Sequence, residues 1–110
     1  MDIVFGSKNL EQLCHDESLA TRTLGRLGAQ KLRARLDDLR AIVSLANAPN
    51  LPGRFHPLLG NSDSFAFQLH AGYRLVIKPS HLPSLRRTED PWSLSDVKAV
   101  CVTHIETDNA

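Results

Sequence analysis

One stretch, Ser64 to Pro79, reads SFAFQLHAGYRLVIKP and leaves the chain few ways to fold. Phe65, Phe67 and Leu69 alternate with Ala66, Gln68 and His70. After Ala71-Gly72, Tyr73, Leu75 and Ile77 alternate with Arg74, Val76 and Lys78. A period of two is the mark of a half-buried strand, so the run predicts two strands joined by a tight turn. A two-residue loop would pair His70 with Tyr73 and mix the two faces. A three-residue loop, His70-Ala71-Gly72, pairs Leu69 with Tyr73 and puts Gly72 where a type I turn plus bulge needs a positive φ. The six large apolar side chains then share one face, and Gln68, Arg74 and Lys78 project from the other. One hairpin thus supplies a core layer and a polar platform. The platform reads either as a solvated outer face, the usual place for charged side chains, or as a binding surface.

The 110 residues suit one domain with a single core. Hydrophobic residues at 42% and charged residues at 23% argue against a disordered chain. No apolar run approaches a membrane span, and MDIVFGSKNL lacks the basic start and apolar stretch of a signal peptide, so a cytoplasmic location is expected. Cys14 and Cys101 have no CxxC partner, no cluster offers four zinc ligands, and both are expected as small buried hydrophobes. No metal and no cofactor is expected. The net charge of +1 is unevenly spread: residues 1–20 sum to −3, 21–50 to +4, 51–88 to +4 and 89–110 to −4. A basic middle between acidic ends permits a local anionic ligand.

Asp2-Ile3-Val4-Phe5 predicts a short strand closed by Gly6, and Ser7 an N-cap for a helix carrying Leu10, Leu13 and Cys14 on one stripe. His15 to Ser18 should end or bend it. A second helix is expected from about Leu24 or Ala29 to Val43, with Leu32, Leu36, Leu39 and Val43 buried and Gly25 and Gly28 weakening its start. Arg22, Arg26, Arg33 and Arg40 fall on one arc if that helix reaches back so far. Asp37 shares the arc, so an ion-paired face and a phosphate-facing stripe are both open. Pro49 and Pro52 make residues 44–53 a connector. Pro57 suits an edge strand at 54–58, and residues 60–63 suit a turn. Pro79 to Ser95 reads as a long surface loop holding Arg86, Arg87 and Trp92. Val97 to Glu106 is apolar on both faces, which predicts a central strand with His104 beside Val100 and Val102. The order β-α-α-β-β-β-β predicts an α+β domain with two N-terminal helices on one sheet face.

In this order, Leu51-Pro52-Gly53, His56-Pro57-Leu58-Leu59-Gly60 and Tyr73-Arg74-Leu75-Val76-Ile77 resemble HigB-type toxins of the RelE/ParE superfamily over nearly the whole chain. The resemblance implies a small, mainly antiparallel twisted sheet and the toxin of a type II toxin–antitoxin pair. It implies a cognate helix-turn-helix antitoxin (HigA-like) as partner, and the ribosome and mRNA as targets of a metal-independent endoribonuclease. Arg74 matches the family's Tyr-Arg arginine, with Lys78 as a second cation on its face, and His56 matches the His-x-Leu histidine. The family's terminal Asp-x-His places its histidine at Asn109, which cannot exchange a proton near neutral pH, and His104 is the nearby substitute. The family's turn and first-strand arginines are replaced by Asn61-Ser62-Asp63 and Phe65-Ala66-Phe67-Gln68. A second expectation therefore stands beside cleavage: a toxin-fold binding protein that acts through its antitoxin or on another target such as gyrase.

Overall fold

The alternating stretches become a five-stranded sheet in a computed structural model that describes residues 1–58, 61–80 and 94–107, with backbone only at 61–63. The elements are β1 (Asp2–Phe5), α1 (Lys8–His15), α2 (Glu17–Ala41), β2 (His56–Leu58), β3 (Asn61–Gln68), β4 (Tyr73–Pro79) and β5 (Ala99–Thr107). Short 3-10 helices lie at Leu45–Asn50 and Leu94–Asp96. The strands lie side by side as β1-β5-β4-β3-β2. β1 runs parallel to β5, and the other pairs are antiparallel. The architecture is α+β, with β5 in the sheet interior between β1 and β4, and Pro57 on an edge strand as expected. No helix among the described residues is long and apolar enough to cross a membrane.

The hairpin pairs Phe65 with Ile77 and Phe67 with Leu75. Its six apolar side chains meet Leu10, Leu24, Leu32, Leu36 and Leu39 of the helices in one core. The Leu69 N–H donates to Tyr73 O at 2.8 Å, so the expected pairing holds. The turn itself differs. Tyr73 N–H closes on His70 O at 3.2 Å, and Ala71 and Gly72 both have positive φ, 58° and 81°. Two positive values mark a type I′ turn, whose twist matches that of the strands, with His70 as the extra residue. Ala71 is strained there, because a left-handed conformation costs a residue with a Cβ about 1 kcal/mol. Asparagine tolerates it better, so Ala71→Asn should stabilise the fold by about 0.5 kcal/mol. A urea midpoint that falls in this variant would contradict the turn geometry.

The helices start where their caps put them. Ser7 Oγ accepts the Leu10 N–H and Asp16 Oδ1 accepts the Leu19 N–H, both at 3.1 Å. The Asp16 cap seeds α2 at Glu17, well before the expected Leu24 or Ala29. The chain crosses Gly25 at φ 81° and ψ 166°, a break inside α2. That break removes the single arc proposed for Arg22, Arg26, Arg33 and Arg40. Arg33 pairs with Glu17 at 3.1 Å and Arg40 with Asp37 at 3.3 Å, so two of the four arginines are ion-paired. The helix stops at Ala41, and Val43, expected in the buried stripe, is 72% exposed. Residues 61–63, expected as a turn, are strand, because β3 extends back to meet Leu58 across an irregularity in β2. Most of the expected loop at 79–95, with Arg86, Arg87 and Trp92, lies outside the described residues. Both cysteines are free and half-buried rather than fully buried.

Candidate functional site

The sheet face turned away from the helices carries the polar groups. Direct cross-strand partners share a face. Gln68, Arg74 and Glu106 therefore form one row, and His56, Ala66, Val76 and His104 form the next. Lys78 and Cys101 form a third. Ala66 and Val76 are fully buried on this face, outside the main core and between polar neighbours. The two histidines lie at opposite ends of their row, their backbones about 14 Å apart at ordinary strand spacing.

His104 reaches this face through a β-bulge. The register jumps from Val76↔His104 to Ile77↔Val102, which leaves Thr103 unpaired in the ladder. The Thr103 hydroxyl donates to Val76 O at 3.2 Å and pins the bulge. An extra residue reverses the alternation. Val100 and Val102 stay in the core, while His104, expected beside them, is turned to the open face with its side chain 51% exposed. The expectation of a packed histidine on an apolar face is thus corrected.

Glu106 joins two of the expected site residues and was not itself anticipated. Arg74 Nε–H donates to Glu106 Oε2 at 2.6 Å, and Arg74 Nη2 contacts the same oxygen. The His104 Nε2–H donates to Glu106 Oε1 at 2.6 Å, and its Nδ1 lies 3.1 Å from Thr103 Oγ1. The hydrogen bond from Arg74 is the largest influence holding the Glu106 carboxyl below its ordinary pKa; partial burial opposes it, and His104 adds a smaller lowering. Stability from Glu106 is therefore present above the carboxyl's ordinary pKa and is lost as pH falls through the lowered one. Glu106→Gln should remove that part of the acid dependence. The stability gap between wild type and variant in urea melts should narrow from pH 7 toward pH 3, and a constant gap would contradict it.

His56 is arranged differently. Its Nδ1 lies 2.6 Å from Arg54 O. A carbonyl can only accept, so Nδ1 carries the proton and Nε2 of the neutral ring is left as an acceptor. Lys78 is exposed and makes no hydrogen bond or ion pair among the described residues. The structure thus brings Arg74 and His104 together through Glu106 and places Lys78 and His56 on the same face; Asn109 lies outside the described residues. The only sequence signal for Glu106 is its spacing of two from His104, which is informative once the bulge is known.

A cavity of about 370 Å³ lies between α1 and the break in α2, lined in part by Cys14, Glu17, Arg26 and Arg33. Burial pushes the Cys14 thiol up to about 11, against a smaller opposing effect of Arg40, which disfavours the thiolate form at neutral pH. Glu17 and Arg33 are spent on each other. Comparison with family models, curated proteins and solved structures finds no match.

Proposed function

We propose that the chain is a HigB/RelE-like toxin of a type II toxin–antitoxin pair that cleaves mRNA on the ribosome with the open face of its sheet. The carrying observation is the set of groups on that face: His56, Arg74, Lys78 and His104 share one side of the sheet. RNA cleavage by its own 2′-hydroxyl needs a base, donors for phosphorane charge and an acid for the leaving oxygen. In this reading His56 Nε2 takes the 2′-hydroxyl proton as the 2′-oxygen bonds to phosphorus. Arg74 and Lys78 stabilise the charge on the non-bridging oxygens. The phosphorus–5′-oxygen bond breaks as His104 returns a proton to that oxygen. The products are a 2′,3′-cyclic phosphate and a 5′-hydroxyl, and no metal takes part in these steps.

The Arg74–Glu106 pair favours a second reading, because a neutralised arginine attracts phosphate less. In that reading the fold is kept for binding an antitoxin or another target without cleavage. Induced expression in a bacterial host, with and without a helix-turn-helix partner encoded beside it, separates the two. Growth arrest with new mRNA 5′ ends, relieved by the partner, is expected. A stable complex with the partner but no arrest and no new ends would overturn cleavage.

A further inference from the structure

We infer that Glu106 is a built-in competitor for the phosphate position, so that the site rests in a self-occupied state and anionic ligand binds by displacing this carboxylate. The inference deepens the proposed function and rests on it for the identity of the anion. Its observations are independent of cleavage. One carboxylate takes the Nε and Nη2 donors of Arg74 on one oxygen and the Nε2 donor of His104 on the other. This is the pattern a phosphate would take from the same two side chains, since carboxylate and phosphate share the fork of Arg donors. Both nitrogens of His104 already have partners, because Nδ1 lies against Thr103 Oγ1 while Nε2 meets Glu106. His56, by contrast, has no partner for Nε2 among the described residues. The two histidines thus differ in readiness, and the difference is the carboxylate.

The clamp is able to open. The side chains of Arg74 and Glu106 are 24% and 30% exposed, so water can replace each partner as Glu106 turns away. An ion pair that keeps contact with water is held less tightly than a fully buried one, which suits a contact that a charged ligand must break. Lys78, with no partner among the described residues, gives that ligand its first attraction across the same face. A doubly or repeatedly charged anion, such as an RNA backbone, gains more from the site than the single carboxylate does. Glu106 therefore sets a threshold that isolated weak anions fail and a phosphodiester strand meets.

The test is binding. A short single-stranded RNA with 2′-O-methyl riboses, which cannot be cleaved, and inorganic phosphate are titrated separately into wild type and Glu106→Gln at low salt. Removing one negative charge beside Arg74 should tighten RNA binding about ten-fold, the size of one contact-range charge interaction at a dielectric close to that of water. The gain should vanish when Arg74→Ala is added to Glu106→Gln. In the wild-type chain, phosphate should also move the Arg74 Nε–H resonance as it replaces Glu106, a readout that needs no variant to fold. Equal or weaker RNA and phosphate binding by a folded Glu106→Gln overturns the inference while leaving a nuclease possible. A Glu106-dependent gain for phosphate with no binding of RNA upholds the anion site and overturns RNA as its ligand. No binding of either anion to either protein overturns both.

Discussion

Arg74→Ala should lower mRNA cleavage by about 10²- to 10³-fold, the usual loss when a preorganised donor to a developing oxyanion is removed. The size of the effect follows from where Arg74 sits. It lies on β4 between two paired strands, so its guanidinium starts from a rigid backbone rather than a loop. Its cross-strand partner Glu106 holds it over the open face. Truncation leaves that carboxylate with His104 and water, because Glu106 is partly exposed. The fold should survive, with a melting temperature within a few degrees of wild type. Arg74→Lys should recover little, since a point charge cannot reproduce the planar fork. The readout is the rate of appearance of new 5′ ends on a translated mRNA. Full activity in a folded Arg74→Ala protein would remove this residue from the site.

Gly53→Ala should destabilise the protein by about 3 kcal/mol, combining left-handed backbone strain with overpacking. Gly53 has φ 108°, a conformation that side chains resist. A Cβ there would lie 3.1 Å from Arg35 Cδ and 3.1 Å from Phe67 Cδ1. Neither neighbour gives way easily. Phe67 is fully buried, and Arg35 is itself buried and tied to Asp38 at 3.1 Å. The Gly53 carbonyl also accepts the Gln68 N–H at 2.6 Å, which joins the connector to β3. The glycine thus lets the chain pass close over the core on its way to the edge strand that carries His56. A loss of this size should lower the melting temperature by about 15 °C for a domain this small. A drop of only a few degrees would mean that the connector sits farther from Phe67 than described.

The hairpin was legible because everything that defines it is local. Phe65, Phe67, Leu75 and Ile77 alternate strictly, and one glycine marks the bend. The hand of the turn was not legible, since Ala71 gives no hint that it will accept a positive φ. Ser7 and Asp16 are both capping residues, and both cap. Gly25 weakens a helix and also lets one continue across a break, so the Asp16 cap starts α2 well before it. On β5 the alternation of Val100 and Val102 pointed to His104 as the next residue of the same face. One unpaired residue at Thr103 reversed that, and neither propensity nor periodicity marks such a bulge. Arg74 and Lys78 were placed correctly because their strand has no bulge of its own. Glu106 was missed because its role depends on register between strands 32 residues apart, which no local pattern records.

The measurement that bears most directly on the open sheet face as an RNA-cleaving site is end mapping in a reconstituted translation system. The purified chain is added to ribosomes translating a defined mRNA, and the chemistry of every new end is determined. The account predicts new 5′-hydroxyl ends matched by upstream 2′,3′-cyclic phosphates, present with the wild-type chain and nearly lost with Arg74→Ala. Intact mRNA with the folded wild-type chain, or ends that form equally with Arg74→Ala, would contradict it.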